Sequence, residues 1–441
     1  MHKNPFGRDA VSTSSNCFRY QIGANKAIFN VHINYYYLIK IVGIILHNAL
    51  LITSFDKIQV HIWQLQFIKN EGTAAPMNKQ YDALALFSGG LDSILACKVI
   101  QDQGLKVLGL HFITPFFGNP EKIEEWQDLY GVEIMPVDIS EEYIQMMLDV
   151  PAHGMGKLIN PCVDCKIMMI RRTRDMMEQF GAKFIISGEV LGQRPMSQRQ
   201  ESLNSIKNDA DVKDLLLRPL CAKTQTITPV EASGLVDREK LPRISGRGRK
   251  DQLALAKHYG FTVIPTPAGG CKLTEYENTA RILPLLKNLE TPDVNFYKLV
   301  LAGRQYWAGN KLLAVGRNQA DNEVLETLVR ENDYTFEVRD FTGPLSLGRS
   351  LHGEPWSELD ILSAAAFTAA FSAKARNEGC EVVVEVIGPE GKSEVSVVPS
   401  KETSVVFAGP NIDGLKGWKI GRDKFRVEKI ELEKSKLRNE Y

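Results

Sequence analysis

The sequence predicts an α/β fold, a doubly wound and mostly parallel sheet covered by helices, followed by a smaller α+β domain. Three observations carry that expectation. From residue 81 onward, apolar runs of strand length alternate with longer amphipathic stretches, the pattern of parallel strands joined by helical crossovers. The amphipathic stretches repeatedly stop at glycine, at Gly104, Gly131, Gly181 and Gly260, as helices capped by a left-handed residue do. After about residue 295 the texture changes to short strands and turns. The 441 residues are about three times the usual single-domain length, so two or three compact units are expected.

In chain order, strands are expected at 83–87, 107–112, 133–138 and 183–187, and helices at 94–103, 121–130, 167–180 and 250–259. A Pro-rich loop at 264–270 precedes Cys271, and the first domain is placed at 77–290. In the second domain, 295–425, residues 311–317 and 335–339 are read as strands and 360–376 as a buried Ala-rich helix. Strands at 381–387 and 394–398 are expected to pair across the Gly391 turn, and the charged stretch from Lys424 through the tail, 426–441, to be a solvated helix. Residues 1–76 carry seven Lys or Arg against three Asp or Glu and differ in texture from the rest. They are read as upstream sequence translated from a mis-set start, with Met77 as the natural first residue and an N-terminal anchor as the rival reading. Within them the apolar stretch 36–55 is broken by Lys40, His47 and Asn48, short of the roughly 20 apolar residues a bilayer requires, so no stable membrane association is expected.

Composition excludes wholesale disorder, at 44% hydrophobic and 24% charged residues. Lys plus Arg number 53 and Asp plus Glu 53, so global charge predicts no polyanion partner and a basic surface has to be argued locally. Seven cysteines are an odd and sparse set. They do not form a disulfide framework and fit a reducing cytoplasm with one functional cluster.

Ser88-Gly89-Gly90-Leu91-Asp92-Ser93 follows a predicted buried strand and opens a helix. Adjacent glycines let backbone approach a ligand, and the first amides of the helix, with its dipole, favour an anion. The turn lacks the lysine of a Walker loop and the dinucleotide glycine pattern. Ser88 and Ser93 add hydroxyl donors, and Asp92 is suited to holding Mg²⁺ on pyrophosphate. These residues resemble the SGGxDS fingerprint of the PP-loop ATP pyrophosphatases, an adenine nucleotide alpha hydrolase-like superfamily that cleaves ATP to AMP and pyrophosphate. Residues 187–193, Ser197-Gln198 and Leu217-Arg218-Pro219-Leu220 are similar to the catalytic domain of tRNA 4-thiouridine synthase. Asn160-Pro161-Cys162-Val163-Asp164-Cys165-Lys166 resembles instead the cysteine segment of tRNA 2-thiouridylases. The resemblance covers about residues 80–285. It implies an ATP-dependent tRNA thiolation enzyme, with tRNA as partner and sulfur from a donor protein or hydrosulfide. Ser88 to Ser93, Gly188 and Gln193 would bind ATP, and a pyrimidine carbonyl would be adenylated so that sulfur can displace AMP. A THUMP-like domain before the loop and a rhodanese-like carrier after it are not seen.

Cys162 and Cys165 form a C-x-x-C expected just before a helix, whose dipole would favour thiolate; Cys271 follows Gly269-Gly270. By resemblance to related thiolation enzymes these three would hold a [4Fe-4S] cluster with one iron open, or act as a persulfide and resolving pair. Structural zinc, with His153 as the nearest fourth ligand, or plain buried cysteines are the other readings. Cys97 is read as core, and Cys221 and Cys380 have no partner at useful spacing. Two basic clusters are weighed as RNA contacts: Arg171, Arg172 and Arg174, which have carboxylates at helical spacing, and the Gly-spaced run Arg243, Arg247, Arg249 and Lys250, which is preferred. Residues 302–307, 315–318, Asn322-Glu323 and the Ala-rich run from Ser363 resemble the NFACT-R RNA-binding domain, against which a dimerisation or lid domain is weighed. Two other functions stay open: a PP-loop enzyme adenylating a small-molecule carbonyl, and a noncatalytic RNA-binding or iron-sulfur protein.

Overall fold

A computed structural model describes residues 80–265 and 270–439. The proposed leader, including 36–55 and Cys17, and most of the Pro-rich loop lie outside them. No helix among the described residues is long and apolar enough to cross a membrane.

The first sheet is five-stranded and parallel. The fully buried run Ala83–Leu86 forms β1, flanked by β2 (Val107–Ile113) with Ala83 opposite Val107, and, in chain order after β3 (Glu133–Asp138), by β4 (Phe184–Ser187) with Ala83 opposite Phe184. A two-residue β5 (Leu216–Leu217) completes the order β3-β2-β1-β4-β5. The chain steps outward from β1 to β3 and then returns to the other side of β1. The crevice beyond the carboxyl ends of β1 and β4 is therefore the topological switch point, where open parallel sheets bind ligands.

Helices cover both faces. α1 (Leu91–Gln101) starts three residues before the expected 94 because extended Gly90 is its N-cap; it buries Ile94, Leu95 and Ile100, with Cys97 in the core as expected. α2 (Ile123–Tyr130) buries Trp126 and Tyr130 and stops at left-handed Gly131. α3 (Ser140–Leu148) was not expected. α4 (Cys162–Phe180) begins five residues earlier than the apolar spacing indicates, because Cys162, Val163, Asp164, Cys165 and Lys166 form a polar first turn and more; it stops at left-handed Gly181. α5 (Gln200–Asp209), α6 (Lys250–His258), α7 (Tyr276–Asn288) and α8 (Val294–Leu301) follow.

The second sheet is six-stranded and antiparallel. Its strands and helices are β6 (Arg304–Ala308), β7 (Lys311–Val315), α9 (Gln319–Leu328), β8 (Tyr334–Val338), β9 (Ser346–Ser350), α10 (Glu358–Ala369), α11 (Ala373–Glu378), β10 (Val382–Gly388) and β11 (Gly391–Val397). The order is β11-β10-β8-β9-β7-β6. The expected β10–β11 pair forms with Glu385 opposite Glu394. The single helix expected at 360–376 is two, because the Ser372 hydroxyl accepts from Ala375 N–H and restarts the helix. α10 buries Ala364, Ala365 and Phe367 against the sheet core of Leu313, Phe336 and Val384. The chain then pairs Ala408 with Trp307 at the β6 edge and enters α12 (Leu415–Asn439), which begins nine residues before the expected charged stretch at 424 and packs its first half back on the first domain.

Candidate active site

The turn Ser88 to Ser93 leaves β1 at the switch point. Its hydroxyls knit it together: Ser93 Oγ donates to the Gly90 carbonyl at 2.8 Å and accepts from Ser88 N–H at 3.2 Å, while Gly90 N–H reaches Ser88 Oγ at 3.4 Å. Ser93 N–H donates to the Gly90 carbonyl at 3.0 Å, whereas the Leu91 and Asp92 amides precede the first helical hydrogen bond, so they and the helix dipole make the start of α1 an anion site. Gly89 has φ +74°, and a Cβ there would come within 2.3 Å of Trp126. Part of the glycine requirement is therefore a ring seated on the turn, in addition to the close ligand approach expected from sequence. Trp126 is itself held by Phe87 and His111, with ring centroids at 5.7 and 5.1 Å. Asn119 N–H donates to His111 Nε2 at 2.8 Å, which assigns the ring proton to Nδ1 and its hydrogen bond to the Phe87 carbonyl at 3.0 Å. Burial lowers the His111 pKa, so the ring is a neutral strut beneath the turn.

The loop after β4 closes the other side. A Cβ on Gly188 would meet the Asp92 backbone and Ser93 N at 2.7 Å, so only glycine lets this loop rest on the start of α1. Gln193 Nε2 donates to Asp92 Oδ2 at 2.9 Å. Asp92 Oδ1 and the side-chain oxygens Gln193 Oε1 and Glu189 Oε1 are buried without a hydrogen-bond partner. Free oxygens of this kind suit a hard cation, and Asp92 Oδ1 fits the expected Mg²⁺ position. The loop is anchored by Glu189, 2% exposed, whose Oε2 accepts from Arg218 Nε at 2.9 Å; Arg218, 6% exposed, also donates to the Leu203 carbonyl. Burial alone would raise the Glu189 carboxyl, but Arg218 and Lys166 reverse this and hold it below the ordinary glutamate value. Cys221, without a role in the sequence reading, donates its thiol to the Glu189 carbonyl at 3.3 Å.

The three cysteines come together around Tyr143 of α3, which sequence reasoning missed. Its hydroxyl interacts electrostatically with the thiols of Cys162, Cys165 and Cys271 and hydrogen-bonds Cys165. The ring is 1% exposed, between Phe116 and Phe117 at 5.6 and 5.3 Å. Cys162 opens α4 and its sulfur accepts from Asn160 Nδ2 at 3.1 Å. Cys271 is carried in by Lys272, whose N–H reaches the Phe116 carbonyl at 3.1 Å and whose ammonium reaches Pro115. All three residues are partly exposed, yet the protein packed around them desolvates two of the thiols. Burial pushes Cys165 up to about 11 and Cys271 up to about 12, opposite to the thiolate expected for Cys165 from the helix dipole. Among the described residues, no three His, Cys, Asp or Glu side chains converge to hold a metal ion. Nothing in this arrangement supports the iron-sulfur or zinc alternatives for Cys162, Cys165 and Cys271. His153 is engaged elsewhere, with Nε2 2.8 Å from Asp209.

Thiols and turn are joined by one loop, since Asn160 Nδ2 also reaches Met196 Sδ at 3.4 Å, three residues after Gln193. The two basic clusters separate in the structure. Arg171 donates to the Asp209 carbonyl, Arg172 lies 3.8 Å from Glu142, and Arg174 pairs with Asp175 at 3.0 Å, so this cluster serves the fold. Arg243, Arg247 and Lys250 are exposed and Arg249 half-buried. Their segment is pinned to the nucleotide-side loop by Gly246 N–H donating to the Leu191 carbonyl at 2.7 Å.

Sheet order, turn and second loop together define the class: a PP-loop α/β domain followed by an antiparallel α+β domain. Residues 78–228 match the family described as Thiamine biosynthesis protein (ThiI), and residues 305–406 match the NFACT protein RNA binding domain. Over these segments the chain is similar to the ThiI PP-loop ATP pyrophosphatase family and to the NFACT-R domain. It is 28% identical to a "Probable tRNA sulfurtransferase" of Thermococcus kodakarensis over 176 residues, 38% of this chain and 44% of that protein. It is 28% identical to a tRNA sulfurtransferase of Photorhabdus laumondii, covering 33% of this chain and 30% of that one. With a tRNA-specific 2-thiouridylase of Petrotoga mobilis it shares 30% identity over 24% of this chain and 35% of that one. The chain thus spans less than half the length of these relatives.

Proposed function

We propose that this protein is an ATP-dependent tRNA sulfurtransferase that forms AMP and pyrophosphate. The observation that carries the reading is the single loop reaching from Gln193 on Asp92 to Met196 on Asn160 and hence to Cys162. A two-step thiolation needs an adenylating turn and a sulfur-carrying thiol beside one bound base, and this loop touches both. The backbone of Ser88, Gly89, Gly90, Leu91 and Ser93 cradles the ATP phosphates, with Gly188 and Gln193 completing the wall. Asp92 holds Mg²⁺, which would neutralise the departing pyrophosphate. A base carbonyl oxygen attacks the α-phosphorus and pyrophosphate leaves, which turns a poor leaving group into AMP.

Cys162 takes a sulfane sulfur from a persulfide-bearing donor protein, releasing the donor's thiolate. The terminal sulfur of the Cys162 persulfide attacks the activated carbon, and AMP departs. A neighbouring thiolate, Cys165 or Cys271, then attacks the Cys162 sulfur, frees the thiolated base and leaves a protein disulfide that an external dithiol reduces. Desolvated resolving thiols stay protonated until a neighbouring charge changes, which protects the carrier from premature oxidation. Arg243, Arg247, Arg249 and Lys250 meet RNA phosphates beside the turn, and the NFACT-R domain provides a second RNA contact.

The test is pyrophosphate release from ATP with and without bulk tRNA, together with mass spectrometry of the tRNA nucleosides. Release that depends on tRNA, is lost in Asp92→Asn and persists without thionucleoside in Cys162→Ala is expected. A thionucleoside made at the parent rate by Asp92→Asn would overturn the proposal.

A further inference from the structure

We infer that the C-terminal helix α12 is a latch on the cysteine site, with Arg422 and Lys419 acting as positioning residues for Cys162. The inference rests on the proposed role of Cys162, but its geometry stands apart from that role. Between α3 and α4 the chain runs through residues 149–161 with no helix or strand. A connector of this length is costly to order and drifts unless tied down. It ends at Asn160, whose amide holds the Cys162 sulfur. Outside α12 it is tied by Gly154 N–H to Pro151, Gly156 N–H to Asn160, His153 N–H to Asp164 at 3.0 Å, His153 Nε2 to Asp209 at 2.8 Å and Asn160 Nδ2 to Met196 Sδ at 3.4 Å.

α12 adds a further set of ties from a distant part of the chain. Arg422 Nη2 donates to the carbonyls of Met147, Leu148 and Asp149 at 2.6, 3.0 and 2.8 Å, capping the exposed carboxyl end of α3 with a cation. One turn earlier, Lys419 Nζ donates to the carbonyls of Gly156 and Lys157. Arg426 lies so close to Gly154 that a Cβ there would strike its guanidinium. The start and the middle of the connector are thus held by cations one helical turn apart on α12. Arg422 is itself fixed by stacking over Trp418 at 5.1 Å. The origin of α12 follows the second domain through the Ala408–Trp307 bridge, and Lys287 of α7 in the first domain donates to the Asp413 carbonyl just before it. The antiparallel domain therefore reaches the thiol site through α12, without supplying a residue to the nucleotide turn.

The test compares Arg422→Met with Arg422→Lys in the full chain, reading alkylation of Cys162 by iodoacetamide, tRNA-dependent pyrophosphate release and thionucleoside yield. Charge-assisted bonds of this kind are each strong enough that their loss is expected to speed Cys162 alkylation roughly tenfold or more. Thionucleoside yield per AMP formed should fall by a similar factor while pyrophosphate release is unchanged. An ammonium has three donors, so Arg422→Lys is expected to restore alkylation to within about threefold of the parent. Should Arg422→Met fail to fold, Lys419→Met gives the same readings from the middle of the connector. A folded Arg422→Met or Lys419→Met with parental alkylation, or an Arg422→Lys as reactive as the Met variant, overturns the latch. Alkylation needs neither ATP nor RNA, so it decides the latch even if no thionucleoside is ever formed, which is the outcome that would sink the proposed function instead.

Discussion

Arg218→Met should destabilise the first domain far more than its single ion pair suggests, and in a way that depends on pH with a definite sign. Glu189 is 2% exposed and has one oxygen on Arg218 at 2.9 Å and the other without a hydrogen-bond partner. Methionine fills most of the arginine volume but leaves a buried carboxylate supported by Lys166 and the Ser187 hydroxyl without its main partner. Breaking a buried pair from one side costs about 3–5 kcal/mol. In the parent, Glu189 is held below its ordinary value, so its contribution is present above the glutamate range and lost as pH falls through the depressed value. In the variant burial dominates and the carboxyl rises. The folded variant then takes up a proton that the unfolded chain does not, and its stability grows as pH falls from 7.5 toward 5, by at most about 1.4 kcal/mol per unit. Urea melts of parent, Arg218→Met and Glu189→Gln/Arg218→Met at both pH values measure this. The double variant should recover most of the loss at pH 7.5. A double variant no more stable than Arg218→Met, or a single variant weakened further by acid, would refute the reasoning.

Gln193→Ala removes the amide that orients Asp92. On the order of tenfold is expected to be lost from kcat/KM for pyrophosphate release, with little change in the melting temperature. Gly89→Ala meets both the φ of +74° and the Trp126 ring at 2.3 Å, so a drop of about 2 kcal/mol or more in unfolding free energy is expected, visible in a thermal melt. Because burial pushes Cys165 up to about 11 and Cys271 up to about 12, their alkylation should stay slow at pH 7.5 and rise with about one decade per pH unit through pH 10, read by peptide mass spectrometry. Replacing Arg247 and Lys250 by Gln should weaken tRNA binding at all sequences and lower the salt slope by roughly one to two, whereas Arg174→Gln should leave it unchanged.

The parts of the molecule legible in sequence are those where one physical requirement dominates. β1 to β4 are apolar runs bounded by glycine-capped helices, and the turn after β1 combines a strand, two glycines and a helix start; each falls where its pattern places it. α3 was missed because Ser140–Leu148 buries only Ser140, Tyr143, Ile144 and Met147, too short an apolar face to announce a helix, and Tyr143 was missed with it. β6 and β9 were missed because Arg304, Gln305 and Arg349 interrupt the alternation. Both Gln305 and Arg349 are nonetheless buried, Arg349 on Asp333 at 2.6 Å and the Gln305 amide nitrogen on the Leu299 carbonyl at 3.0 Å, and such pairing leaves no trace in a hydrophobicity pattern. The start of α4 was misplaced for a related reason. The C-x-x-C occupies its first turn, so the polar residues that suggested a preceding loop are helical.

The same comparison explains why the cysteines alone gave an ambiguous chemistry. Spacing states that three thiols exist; it says nothing of the dielectric around them or of what else reaches them. Tyr143 arrives from α3, Asn160 from an irregular connector, and Cys271 from beyond α6, and each is placed by contacts distant in sequence. Burial then raises Cys165, where the helix dipole would lower it, and Cys271 as well, desolvation being the largest influence on both. Desolvated Cys165 and Cys271 stay unreactive until a proton is removed, which suits thiols that act last, as resolving groups. The connector matters alongside them: Tyr143 hydrogen-bonds Cys165, Asn160 hydrogen-bonds Cys162, and whatever holds Asn160 in place holds that difference between the thiols.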